Sequence, residues 1–407
     1  MSQNQSLIFI AIGSELLSGD VIESNAHWLQ NKIAHRNIKM TRIVVVEDKL
    51  SSMITTIENA IQEADHVIVC GGLGPTDDDI TREAIAKAIK KDLYFNKESW
   101  NDIQNFFMKR HKKAGKSNEK QAFQPIDSEV LKNPKGTAPG FKVEIEETTL
   151  MTFPGVPSEF YLMSELYFLP LFEALPQAEH YKLWGIGESD LMDQIKEHKL
   201  IPNDLSWGTI ARKEGLSLRF YPEAVTHPLY TETTQKVKSF FKDMIYTESS
   251  LTPLQVLAEK AKAGNFKIAC AESCTGGLVS EWFTDIPGAS SFFQGSIVAY
   301  QNEIKTQLLG VHEKILENHG AVSPECVEAM SKGCVKQLKS DLGLAVSGIA
   351  GPDGGTEHKP VGTVYISATY QGITRSKHLQ INGNRNDVRE RSAYALCILG
   401  LEVTESE

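Results

Sequence analysis

Short apolar runs recur through the first 170 or so residues, and each is followed by a stretch with helical spacing. The runs at 7–12, 42–46 and 67–70 (LIFIAI, RIVVV and VIVC) carry few polar interruptions, the pattern of strands covered on both faces. Segments 25–35, 51–63 and 81–90 repeat apolar residues at intervals of three and four, which predicts helices. Strand and helix in alternation predict right-handed βαβ crossovers and a parallel sheet. A polar helical segment over 98–117 ends in the basic run MKRHKKAGK, read as a solvated helix end and loop. A helix beginning after Pro157, with Ser158 as its N-cap, closes this region.

The pattern then shortens. A strand at 181–185, a helix at 191–198, a strand at 216–221 and a helix at 231–241 predict a compact α+β module. A helix at 253–263 opens the last region, with Thr252 as N-cap and Pro253 at the first helical position. Strands at 267–271, 296–300, 344–347 and 362–370 and helices at 323–338 and 387–401 complete an α/β or α+β sandwich. A chain of 407 residues exceeds what one hydrophobic core serves. The expected organisation is a parallel-sheet α/β domain over 1–174, a small α+β domain over 175–249 and an α/β domain over 250–407.

Charge narrows the partners. Forty-two Lys and Arg against 52 Asp and Glu leave a net charge of −10, which speaks against a nucleic-acid footprint. The opening MSQNQSLIFIAIGSELL has no basic stretch ahead of its apolar run, and no segment approaches the length of a membrane span. The six cysteines form no CxxC pair and histidines do not cluster, so disulfides and structural zinc are not expected. A reducing cytoplasm is the expected compartment.

The chemistry concentrates in the last region. Residues 271–278 read AESCTGGL directly after an apolar run, a strand-to-turn step that holds a hydroxyl still. Ser273 is the candidate nucleophile, and Lys305 and Tyr300 are both eligible as its base, Tyr300 alternatively relaying the proton or orienting the lysine. Lysine serves as a base only when neutral, a state that burial favours. Backbone N–H groups at Thr275, Gly276 and Gly277 are candidate oxyanion donors. Cys274 reads as a small residue filling a tight turn. SGIAGPDGG at 347–355, with Ser347, Gly348 and Gly351, offers an anion-binding backbone nest, and Arg385 and Arg389 add guanidinium contacts. Asp353, between Pro352 and Gly354, reads as a turn residue.

In the first region GGLGPT runs into Asp77, Asp78 and Asp79 ahead of a helix. Free amides there suit a phosphate, and aspartates suit either a divalent cation or helix capping. Glu15 in GSELLSG, and Asp20 beyond it, follow the first strand and lie within reach of the same loop.

The blocks AESCTGGL, YQNEIKTQLLGV, HGAVSPE, SGIAGPDGGTEHKPVGTVYIS and GNRNDVRERS resemble the CinA C-terminal domain, a family of bacterial nicotinamide mononucleotide deamidases. GSELLSG, ESNAHWL, GGLGPTDDDITREA, GTAPGF and PGVPSEF resemble the CinA N-terminal domain, which is related to molybdopterin-binding folds and credited with ADP-ribose pyrophosphatase activity. The resemblance implies conversion of nicotinamide mononucleotide to nicotinate mononucleotide and ammonia, without a cofactor, in pyridine nucleotide salvage. It associates Ser273, Tyr300 and Lys305 with that reaction. It also implies ADP-ribose cleavage in the first domain with a divalent metal at Glu15, Asp78 and Asp79, while Asp77 occupies a variable place. The family carries Asp where this chain has Asn384, which leaves Arg385 without that salt bridge. In the family the middle region is a KH-like domain. This chain shows no GXXG clamp with basic neighbours, so a spacer or dimerisation role in a homodimer is expected there. The alternative is a competence- and damage-related adaptor whose first domain only binds.

Overall fold

The run LIFIAI becomes the interior of a sheet because both of its faces find apolar partners. In the computed structural model, which describes residues 5–405, the strand Gln5–Ile12 lies between strands Ile38–Val46 and His66–Cys70. Thr148–Phe153 follows, and these four run parallel; Gly140–Ile145 and Glu129–Leu131 extend the sheet antiparallel. Alternate residues of the first strand feed opposite cores. Phe9 packs with Leu29, Phe153 and Phe160, while Ile8 and Ile10 pack with Met53, Ile57 and Ile85. The sequence pattern had not predicted the hairpin formed by Gly140–Ile145 and Thr148–Phe153. Its turn passes through Glu146 at φ 53, with no Asn-Gly or Asp-Gly to announce it.

Two other expectations are corrected. The helix after Pro157 is Pro157–Met163, with Val156 as N-cap; Ser158 lies inside it. Proline needs no partner for a missing N–H and takes the first helical position, so the cap falls one residue earlier. The polar segment is helical only over Lys97–Met108, N-capped by Asn96, whose side chain accepts from Ser99 N–H at 2.9 Å. The basic run leaves the helix at Lys109.

The chain divides into two compact units, Met1–Gln177 and Ala178–Glu407. The second unit contains two sheets. Trp207–Arg212, Gly215–Phe220, His180–Leu183 and Ile245–Thr247 form a four-stranded antiparallel sheet in that order. Helices Glu188–Glu197 and Tyr230–Phe240 cover it around Tyr181, Leu191, Leu218 and Val237. The other sheet runs Phe293–Val298, Ile268–Glu272, Leu342–Gly348, Thr363–Tyr370, Ile373–Gln380. Its first three strands are parallel and the last two antiparallel.

Helices cover both faces of this second sheet. Pro253–Gly264 and Arg385–Thr404 share one core with Ile268, Phe283 and Leu344. Pro324–Leu338 shares the other with Ala271, Leu309 and Ala345. Thr252 caps the first of these helices in a reciprocal pair with Gln255, as a Thr-Pro-x-Gln start favours. Among the described residues no helix is long and apolar enough to cross a membrane.

Candidate active site

Three parallel strands of the last sheet bring their C-terminal ends to one edge, where open α/β sheets hold their ligands. Ser273 follows Ile268–Glu272, Ala299 and Tyr300 follow Phe293–Val298, and the glycine-rich loop follows Leu342–Gly348. Ladder bonds continue past the strand ends. Ser273 N–H donates to Val346 O at 3.0 Å, and Ala299 N–H donates to Glu272 O at 2.8 Å. Ser273 is therefore held by its backbone on the central strand of the three.

Lys305 arrives from helix Asn302–Leu309 and is 1% exposed. Its Nζ lies 3.2 Å from Ser273 Oγ, 2.8 Å from Ala299 O and 3.0 Å from Tyr300 O. Burial holds its pKa below the usual lysine value of 10.5, and no carboxylate acts against that shift. Three acceptors surround Nζ, matching the three N–H groups of the ammonium; once one proton is lost, two N–H groups can stay on the carbonyls and the lone pair can turn to the Ser273 hydroxyl.

Tyr300 meets the lysine through its main-chain carbonyl. The side chain is 55% exposed, and its phenol lies 3.3 Å from Arg385 Nη2. The phenol thus belongs with the arginine, and the orienting contact is the backbone.

The turn after Ser273 differs from the sequence expectation in its donors. Gly276 N–H closes the turn on Ser273 O at 3.1 Å, and Gly277 N–H donates to Glu272 Oε2 at 3.0 Å. These two glycines, at φ 63 and φ 98, supply left-handed backbone and no free amides. The turn leaves the N–H groups of Cys274 and Thr275 without a backbone or carboxylate acceptor among the described residues. The Thr275 hydroxyl is buried without a partner beside them.

Glu272 is the residue that sequence reasoning missed. It is fully buried, and its carboxylate accepts from the N–H groups of Gly277, Val279 and Ser280 at 3.0, 3.1 and 3.0 Å and from the Ser280 hydroxyl. It staples the turn to helix Leu278–Thr284 and consumes the helix-start donors. The available signal was an acid ending the apolar run IACA directly ahead of the glycine-bearing turn.

The arginines hold the loops. Arg389 Nε and Nη2 both donate to Thr275 O, at 3.2 and 2.8 Å, and Arg385 Nη1 donates to Gly351 O at 2.6 Å. Helix Arg385–Thr404 begins at Asn384, whose side chain accepts from Asn386 and Asp387 N–H. Asn384 is thus a cap, and Arg385 is positioned by Gly351 and Tyr300 instead of by an acid. Ser347 is 1% exposed and spends its hydroxyl on Ala321 O at 2.7 Å; Gly348 sits in the ladder opposite Val364, where a Cβ would meet Val364 Cγ2 at 2.7 Å. Gly351, at φ 80, turns the loop towards Arg385. Burial pushes the Cys274 thiol up to about 12, in keeping with a space-filling role.

In the first unit the glycine loop 71–74 borders a cavity of about 510 Å³ that Glu15, Asp78 and Asp79 also line. Gly72 is required there, since a Cβ would stand 2.2 Å from Thr81 Oγ1. Asp79 caps the loop by accepting from Thr76 N–H at 2.9 Å and from the Thr76 hydroxyl. Among the described residues no three His, Cys, Asp or Glu side chains gather as a metal cage requires. Glu15, Asp78 and Asp79 line one cavity, where one or two carboxylates together with substrate phosphates would hold a divalent ion.

Matches to known families follow these two constellations. The CinA C-terminal domain matches residues 252–402, and the probable molybdopterin binding domain matches residues 8–174. A putative competence-damage inducible protein of Caldicellulosiruptor saccharolyticus is 35% identical over 394 residues, 95% of this chain and 96% of that protein. A CinA-like protein of Thermosipho melanesiensis is 37% identical over 391 residues, 95% and 96% of the two chains. This chain belongs to the CinA family. Among solved structures, the competence damage-inducible protein A of Klebsiella pneumoniae is 31% identical with a TM-score of 0.37, covering 38% of this chain and 97% of its own. The α/β architecture, with a molybdopterin-binding-like first domain and a CinA last domain, is the fold of this protein.

Proposed function

We propose that this CinA protein hydrolyses the carboxamide of nicotinamide mononucleotide to the nicotinate nucleotide and ammonia. One observation carries the proposal: a buried, cation-disfavoured amine 3.2 Å from a backbone-held serine hydroxyl at a strand-end cluster. Neutral Lys305 removes the proton from Ser273 Oγ as that oxygen attacks the amide carbon. The N–H groups of Cys274 and Thr275 are the donors left in the turn for the developing oxyanion, and each such donor contributes about 3–4 kcal/mol in comparable sites. Collapse breaks the C–N bond as the ammonium of Lys305 gives its proton to the departing amide nitrogen, which leaves as ammonia. Lys305 then deprotonates a water that attacks the ester, and the Ser273 oxygen leaves with the proton. Arg385 and the loop around Gly351 suit the substrate phosphate.

Ammonia release from nicotinamide mononucleotide by the purified chain tests this, with Ser273→Ala as the control. A Ser273→Ala protein releasing ammonia at the parent rate would rule the mechanism out.

A second reading rests on the cavity at the glycine loop. Carboxylates lining a cavity beside the glycine-loop amides suit a nucleotide, either bound alone or cleaved with a divalent ion that a carboxylate and the pyrophosphate would share. Incubation with ADP-ribose and several divalent metals decides between them. Binding without AMP release leaves the first domain a binding module, and AMP release makes it a pyrophosphatase.

A further inference from the structure

Helix Lys97–Met108 walls a second cavity in the first unit, about 700 Å³ in volume, whose opposite wall is built from residues of the segment 130–139. That volume is within the range of small-molecule sites. Thr137 lines both this cavity and the one at the glycine loop, so the two flank the same segment. Much of the lining is apolar, from Ile103, Val130, Pro134 and Pro139, with Met108 60% exposed at the end of the helix.

Its charge is opposite to that of the chain as a whole. Asp102 is neutralised by Lys132 at 3.1 Å, which also holds Glu98 at 2.7 Å. Lys109 and Arg110 line the cavity, and neither is paired with an acid among the described residues. The Arg110 guanidinium lies 3.6 Å from the Phe106 ring centroid, so its plane is held in place before any ligand arrives. The basic run leaving the helix at Lys109 supplies this charge in a protein of net charge −10.

We infer that this cavity binds a phosphate monoester carried on a flat ring, of the nucleoside monophosphate class. The ring lies against the apolar wall and the Arg110–Phe106 stack, and the phosphate meets Lys109 and Arg110. A nucleic acid would use the same basic run without entering the cavity, so the test separates the two.

The full chain is photolysed with 8-azidoadenosine monophosphate and its adducts are mapped by peptide. The expected result is saturable labelling within 97–110 or 130–139, competed by AMP. Labelling falls at least tenfold in the Lys109→Ala/Arg110→Ala double variant, whose substituted side chains are exposed and leave the fold intact by circular dichroism. Adducts confined to the glycine loop or to the Ser273 turn, equal labelling of the double variant, or competition by a single-stranded RNA oligomer but not by AMP would each overturn the inference.

Discussion

Replacing Glu272 with glutamine changes one oxygen of a buried carboxylate to an amide and little else in volume. One carboxylate oxygen serves Gly277 and Val279 N–H, and the other serves Ser280 N–H and its hydroxyl. Glutamine keeps its carbonyl towards the first pair and turns its NH₂ towards Ser280, whose hydroxyl rotates to accept. The Ser280 N–H is then orphaned, at about 1–3 kcal/mol, and the surviving bonds fall from the charged range of about 1.5–3 to the neutral range of about 0.5–1.5 kcal/mol each. Loss of the charge's own burial cost offsets part of this. A net loss of about 3 kcal/mol in local stability is expected, on the order of a 100-fold rise in local opening. Hydrogen exchange of peptides covering 273–284 reads that opening directly. Because Gly277 shapes the turn that carries Ser273, ammonia release should fall roughly 10- to 100-fold as the hydroxyl and donors lose register. Unchanged exchange across 277–280 together with unchanged activity would refute the claim that Glu272 holds the turn.

Five further outcomes are expected. Lys305→Met keeps the length of the stem and removes the base, so ammonia release should drop by about 10²–10⁴-fold with folding preserved; retention within tenfold would exclude the lysine. The parent rate should rise with pH through an apparent pKa below 10.5, because the lowered lysine pKa makes the neutral base available earlier, and this limb should vanish in Lys305→Met. The same shift makes the unfolded chain bind more protons between the lowered value and 10.5, so stability should also rise with pH across that window, as urea titrations at several pH values would record. Gly333→Ala should depress activity and stability together, since the new Cβ would stand 1.9 Å from Leu309 O and push away the helix that carries Lys305; a variant melting at the parent temperature with full activity would contradict this close approach. All six cysteines are buried and free, and burial raises the thiols of Cys270, Cys274, Cys326, Cys334 and Cys397, so Ellman's reagent should label none in the native protein and all in denaturant; fast native labelling of Cys274 would count against its placement.

Several local features could be read from residues alone because they are decided over a few positions. The parallel strands were legible in uninterrupted apolar runs, and the start at Thr252 and Pro253 in capping chemistry that needs only the next three residues. Ser273 and Lys305 were legible as residue types beside glycine-bearing turns. The hairpin around Glu146 was not, since its turn lacks the usual residues and its strands are specified by the sheet they join.

Which polar group meets which is settled by packing. Residue types alone establish that a hydroxyl, an amine, two glycine turns and two arginines are present in one region. Strand order placed 32 residues of separation within 3.2 Å. The same packing reassigned the donors: Gly277 went to Glu272, Thr275 O to Arg389 and the Tyr300 phenol to Arg385. The physical reason is that hydrogen bonds are directional and short-ranged while burial is not. Periodicity reports which side chains leave water, and only the packed sheet determines where their polar atoms point.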